Sequence, residues 1–185
     1  MTSPTPRFDA SEFGLSPEDF VSEAAVCDVL EAAGGVVTGR IRLQKTIYLL
    51  AKMGFPTPFT FAYHHYGPFS ADLANTIDFS VEFGMVEEEV GHRKSDGARF
   101  SKFRLKARPD SRQSEFFSRR EVEDALKKFM AVTSTVLELA GTIYWLKHDE
   151  RCADWRSEII RRKGVKTREG RLEEAVGLLR SVGLS

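Results

Sequence analysis

Gly54, Pro56, Pro58 and the Gly67-Pro68 pair fall within one short stretch of the chain. No helix can run through it. Proline lacks the amide donor and clashes with the preceding turn, and the residue before it is pushed to extended backbone. The stretch is nonetheless aromatic: Phe59, Phe61 and Tyr63 alternate with Thr60, Ala62 and His64, the period of a half-buried strand. Tyr66-Gly67-Pro68 then breaks that strand. The neighbouring segments have to pack on this aromatic element, and the 14 Phe among 185 residues suit a core that leans on ring packing.

Helical patterns lie on both sides. Residues 40–53 carry Leu43, Ile47 and Leu50 on one face, and Gly54 ends the pattern. Ser70 is an N-cap for a helix over 71–83 striped by Leu73, Ile77 and Val81. Upstream, Ser16 and Pro17 open a helix carrying Phe20, Ala24, Cys27 and Leu30, which Gly34-Gly35 stops. Residues 85–90 and 99–105 read as two strands joined by a polar loop with an Asp96-Gly97 step. The order helix, helix, strand, helix, hairpin is that of a winged helix. After Pro109-Asp110-Ser111 the pattern predicts one long helix over 118–148, with Gly141 as the point of a kink, then helices over 153–162 and 168–182. The expected fold class is therefore α+β, mostly α: a Ser/Thr/Pro-rich mobile leader (1–15), a winged-helix-like core (16–108) and a helical C-terminal extension packed on it (109–185).

Charge limits the partners. Lys plus Arg number 27 and Asp plus Glu number 27, so no global field draws the chain to nucleic acid or membrane. No apolar run approaches the roughly 20 residues of a membrane span. Two cysteines outside any CxxC pair point to a reducing cytoplasm.

Chemistry is sparse. His64 and His65 are neighbours on a strand and point to opposite faces, so they do not chelate one metal, and no HxxxH, CxxC or HExxH spacing occurs. GxSxG, GxGxxG and Walker-type loops are also missing. No catalytic residue, metal or cofactor is assigned. Two basic clusters are candidates for nucleic-acid contact: Arg93, Lys94, Arg99, Lys102 and Arg104 in the hairpin, and Arg161, Arg162 and Lys163 late in the chain. The helix in the recognition position argues against base reading. It holds Asp72, Asp78 and Glu82, no Lys or Arg, and only Asn75 suited to a base edge.

Arg42-Leu43-Gln44-Lys45 continuing to Ile47-Tyr48-Leu49-Leu50 resembles the RLQKLLYL-type helix of Panacea domains, the SocA-like antitoxin group. Tyr66-Gly67-Pro68 followed by Phe69-Ser70 is similar to the turn that follows it there. Phe61 to Ser70 is closer still to the pattern of the YwgA-like bacterial variant. The resemblance implies an antitoxin or adaptor module that binds a toxin or client protein, with Gln44, Lys45, Tyr48, Tyr66, Gly67 and Pro68 as its signature residues. Physically, Gly67-Pro68 fixes a turn, Tyr66 lays its ring beside the second helix, and Lys45 either caps the turn's carbonyls or pairs with a carboxylate such as Asp72.

The expected function is a cytoplasmic, non-enzymatic regulatory module that binds a protein partner in a toxin–antitoxin or phage-defence setting. A winged-helix transcriptional regulator with a basic wing is the alternative, and an enzyme of unassigned class comes third. Homodimerisation is compatible with an acidic first helix and basic later segments.

Overall fold

The computed structural model describes residues 5–92, 94, 97–109 and 115–185. Arg93, Ser95, Asp96 and the Asp110–Ser114 stretch, which includes Arg112, lie outside the described residues. Among the described residues the chain is mixed α and β, mostly helical, with seven α-helices and short strands. Strand β1 (Arg7–Phe8) and a 3-10 turn at Ala10–Phe13 precede a second 3-10 turn at Pro17–Phe20 and α1 (Val21–Ala32). Strand β2 (Val36–Thr38) and α2 (Arg40–Lys52) follow. Next come β3 (Ala62–His64), β4 (Gly67–Phe69), α3 (Ala71–Glu82), β5 (Val86–His92), β6 (Arg99–Leu105) and β7 (Arg108–Pro109). The remainder is helical: α4 (Arg120–Ala131), α5 (Ser134–Tyr144), a π turn at Trp145–Asp149, α6 (Trp155–Lys163) and α7 (Arg171–Ser181). No helix among these residues is long and apolar enough to cross a membrane.

Strands β2, β6 and β5 form an antiparallel sheet in that order, with Val37 opposite Phe103 and Phe103 opposite Glu88. Strand β2 is short and was not expected. Gly34 and Gly35, at φ 88° and 82°, turn the chain off α1 and straight into it.

Helix α5 lies at the centre of the packing. Every residue from Val136 to Ile143 is buried, and the helix packs between α2 and α7. One apolar cluster joins Leu43, Ile47 and Leu50 of α2 to Leu139, Ala140 and Ile143 of α5 and Leu178 and Leu179 of α7. The extension thus completes the core rather than merely covering it.

Three expectations need correction. The leader is folded from β1 onward, because Phe8 is buried and pairs in parallel with Pro109. The long helix over 118–148 is two helices. Val132 is extended, and the Thr133 hydroxyl accepts the Val136 N–H at 3.2 Å, capping a fresh start. Gly141 sits inside α5 without breaking it. Finally, the aromatic strand is only Ala62–His64, and Gly67-Pro68-Phe69 forms its antiparallel partner rather than a simple stop.

Candidate functional site

The β3–β4 hairpin is only three residues per strand and cannot hold itself. It is held by three side chains from two other elements. On α2, Gln44 pairs with the backbone of Ser70 as a strand would: its Nε2 donates to Ser70 O at 2.8 Å, and Ser70 N donates to its Oε1 at 3.0 Å. Ser70 Oγ in turn accepts the Leu73 N–H at 3.2 Å and caps α3. The next α2 residue, Lys45, donates from Nζ to Pro68 O. On α6, Lys163 donates to His65 O at 3.1 Å. Three turn carbonyls, those of His65, Pro68 and Ser70, are therefore held by long polar side chains.

The turn also lies against α5. Gly67 has φ +83°, and a Cβ there would sit 2.5 Å from Thr142 Oγ1. Gly141 leaves room for the Lys45 stem and Pro68, whose nearest atoms would lie 3.3 and 3.9 Å from an added Cβ. Both glycines are explained by close approach.

Charge at this point is unusual for a protein interior. Glu138, 2% exposed on α5, accepts from Lys163 at 2.9 Å and from Lys166 at 2.9 and 2.8 Å. One carboxylate thus serves two lysines, and Lys45 has a carbonyl only. Burial pulls the Lys45 ammonium down to about 8, with Lys163 and Lys166 adding to the shift and Glu138 opposing it. Burial lowers Lys163 too, offset in part by its bond to Glu138. Tyr48, fully buried, donates from its hydroxyl to Asp149 Oδ2 at 3.0 Å, and Lys52 donates to the other oxygen at 3.0 Å. Burial, followed by the Asp149 charge, raises the Tyr48 phenol.

The signature residues Gln44, Lys45, Tyr48, Gly67 and Pro68 are thus brought together, and Lys45 caps a turn carbonyl rather than pairing with Asp72. Tyr66 departs from expectation. Its ring does not lie beside α2; it is 47% exposed at the hairpin tip, packs on His65 at 5.0 Å and lies 5.0 Å from Lys166 Nζ. A two-residue turn at His65-Tyr66 points it outward. Glu138, Thr142 and Lys166 also belong to the site; in the sequence Glu138 stands only in an apolar helical run and Lys166 only in a basic cluster, and neither pattern shows which turn they meet.

The late basic cluster and Arg104 of the hairpin are matched internally by carboxylates. Register places Glu87 opposite Arg104 and Glu89 opposite Lys102. Glu87 Oε2 lies 3.7 Å from Arg104 and 3.6 Å from Lys106. Arg99 begins β6, and Lys94 is exposed at the tip. Arg161 and Arg162 both bond Glu158, Arg162 also reaches Glu150, and Lys163 is buried on Glu138. A buried ammonium cannot meet a phosphate, so Lys163 leaves the list of nucleic-acid candidates. Arg93 lies outside the described residues.

Other chemistry-bearing residues are dispersed. His64 packs on Phe69 at 5.4 Å, and His148 stacks on Tyr144 at 4.3 Å. Cys27 is buried with its thiol pushed up to about 12 by burial. Among the described residues no three His, Cys, Asp or Glu side chains converge to hold a metal. A cleft of about 800 Å³ lies away from the clamp, lined by Thr38, Arg40, Glu88, Arg99, Phe100 and Ser134. Its Arg40 is already bound to Asp78 at 2.7 Å and Glu88 at 2.9 Å.

No protein-family model matches the chain, and no solved structure matches it. A segment of 54 residues is 39% identical to the uncharacterized protein YwgA of Bacillus subtilis (strain 168); that match covers 29% of this chain and 32% of the relative. The chain is therefore similar to YwgA over about a third of that protein's length.

Proposed function

We propose that this chain is a cytoplasmic, non-enzymatic regulatory module that acts by binding a protein partner, in the manner of antitoxin-like domains of toxin–antitoxin or phage-defence systems. The observation that carries the reading is the clamp. Gln44, Lys45 and Lys163 are buried and occupied in holding a turn, Tyr48 is buried beside them on Asp149, and the turn presents one exposed tyrosine on a rigid base. A preorganised aromatic tip is what protein recognition favours, since Tyr offers large contact area at low ordering cost. The order α1, β2, α2, α3, β5, β6, with the sheet order β2-β6-β5, supports a winged-helix-like reading of residues 16–108.

The DNA-binding alternative draws less support. Arg104 faces Glu87, Lys102 faces Glu89, and exposed Asp72, Asp78 and Glu82 line α3 where phosphate donors would be needed. The test is co-expression with the products of the adjacent genes, followed by size-exclusion chromatography. A stoichiometric complex that forms with wild type and is lost in Tyr66→Ala, at unchanged melting temperature, is expected. If no neighbour binds, while duplex DNA binds with a steep salt dependence that requires Arg99, the proposal fails.

A further inference from the structure

At the far end of α3 from the clamp, the chain carries an aromatic surface of a different kind. Five phenylalanines form one connected set. Phe8 and Phe20 are buried at 8% and 3% exposure, whereas Phe13 and Phe79 stand out at 52% and 51%. Phe83 joins them, with ring centres 5.1 Å from Phe13, 5.6 Å from Phe20 and 6.1 Å from Phe79. The exposed rings are thus the outer layer of a packed cluster, fixed from beneath rather than loosely placed.

The two chain segments that carry the rings are mostly acidic, although Arg7 adjoins Phe8 and Arg40 reaches Asp78 beside Phe79. Between Arg7 and Arg40 there is no Lys or Arg, against seven acidic residues, and between Lys52 and Arg93 there is none against six. Some of these carboxylates are neutralised within the fold: Asp28 and Glu31 bind Arg108, and Asp78 and Glu88 bind Arg40. Glu12 and Glu82 are exposed and make no ion pair among the described residues. Glu12 adjoins Phe13, and Glu82 follows Phe79 at i+3 on α3. Aromatic rings rimmed by unmatched carboxylates repel phosphate and attract apolar residues flanked by ammonium or guanidinium groups.

We infer that the Phe13–Phe79–Phe83 face, with Glu12 and Glu82, docks a cationic amphipathic helix of a partner protein. Such a helix offers apolar side chains about 5–6 Å apart at i, i+3 and i+4, the scale of the ring-to-ring steps here. Its Lys or Arg residues flank that stripe and meet the rim. The surface is separate from the Tyr66 tip, so the chain carries two contact sites on one helix and its leading turn.

The test uses the full chain and a fluorescein-labelled Leu/Lys peptide of about five helical turns, in amphipathic order, read by fluorescence anisotropy. The controls are the same residues in alternating order and a Leu/Glu peptide. Saturable binding of the amphipathic Lys peptide is expected, weakened about tenfold or more by Phe79→Ala, which alters no charge and removes an exposed ring. Glu82→Lys weakens it more at low salt than at high salt, and Tyr66→Ala leaves it unchanged. Equal binding by Phe79→Ala, or equal binding of the Leu/Glu peptide, overturns the inference. So does concentration-dependent self-association of the unliganded protein that Phe79→Ala abolishes, because the face then belongs to a second copy.

Discussion

The two hairpins of this chain are built on opposite principles. The β5–β6 hairpin pairs seven residues on each strand and closes its own ladder. Its cross-strand ion pair lies at the surface, with the Glu87 and Arg104 side chains 53% and 44% exposed. Phe100 lies over Gly91, filling the space that a side chain there would need. The β3–β4 hairpin pairs three residues on each strand, and its carbonyls are taken by Gln44, Lys45 and Lys163, which are 4%, 1% and 7% exposed. One hairpin has many charges and little dependence on them. The other has few, and its position depends on each. Counting charges along the sequence therefore ranks the wrong hairpin as the electrostatic one.

The sharpest way to break that contrast is at Glu138. Glu138→Ala leaves Lys163 buried without its carboxylate, so a loss of about 3–5 kcal/mol is expected, read from urea unfolding at neutral pH. A loss comparable to that of a surface pair would show that the buried ammonium groups do not hold the turn as described. The next effect is a pH dependence. Lys45 titrates at about 8 in the fold against an ordinary 10.5, so the unfolded chain binds more protons between those values and stability rises with pH there. Lys163, also lowered, adds to the rise. Cys27 opposes it from about 9 upward, because the unfolded chain releases a thiol proton that the fold retains to about 12. Between pH 8 and 9 the wild type therefore gains stability, and Lys45→Met flattens that gain. Identical slopes for the two proteins would remove Lys45 from this role. The smallest effect is expected at Glu87→Gln, below about 1 kcal/mol for an exposed pair. A larger value would mean that the β5–β6 ladder needs its charges after all.

Periodicity exposed most of the fold. α2, α3 and α7 and the β5–β6 pair stand near where their apolar stripes place them, and Gly34-Gly35 and Ser70 act as the stop and cap they resemble. The break at Val132-Thr133 was hidden because α4 and α5 bury the same side of the pattern, so the three-and-four spacing runs on across it. The leader was misread because its Ser, Thr and Pro residues mask two anchors, Phe8 and Ala10. At the site, Lys45 and the Gly67-Pro68 turn were legible as a pair because a fixed turn leaves a carbonyl to be capped. Glu138, Thr142 and Lys166 were not, since their meaning is spatial: α5 and the 163–166 segment bring them to a turn far back in the chain.

That distance has a temporal side. Lys163 reaches the His65 carbonyl from 98 residues downstream, and Asp149 reaches Tyr48 from 101. During synthesis, which proceeds from the N-terminus at about 5–20 residues per second, the Tyr66 turn emerges several seconds before its α6 clamp. Gln44 and Lys45 are already present, but the buried face of α5 that receives them is not. The nascent chain thus passes through an interval in which its aromatic tip is made and not yet held, and the loop closure that ends this interval is among the longest in the molecule.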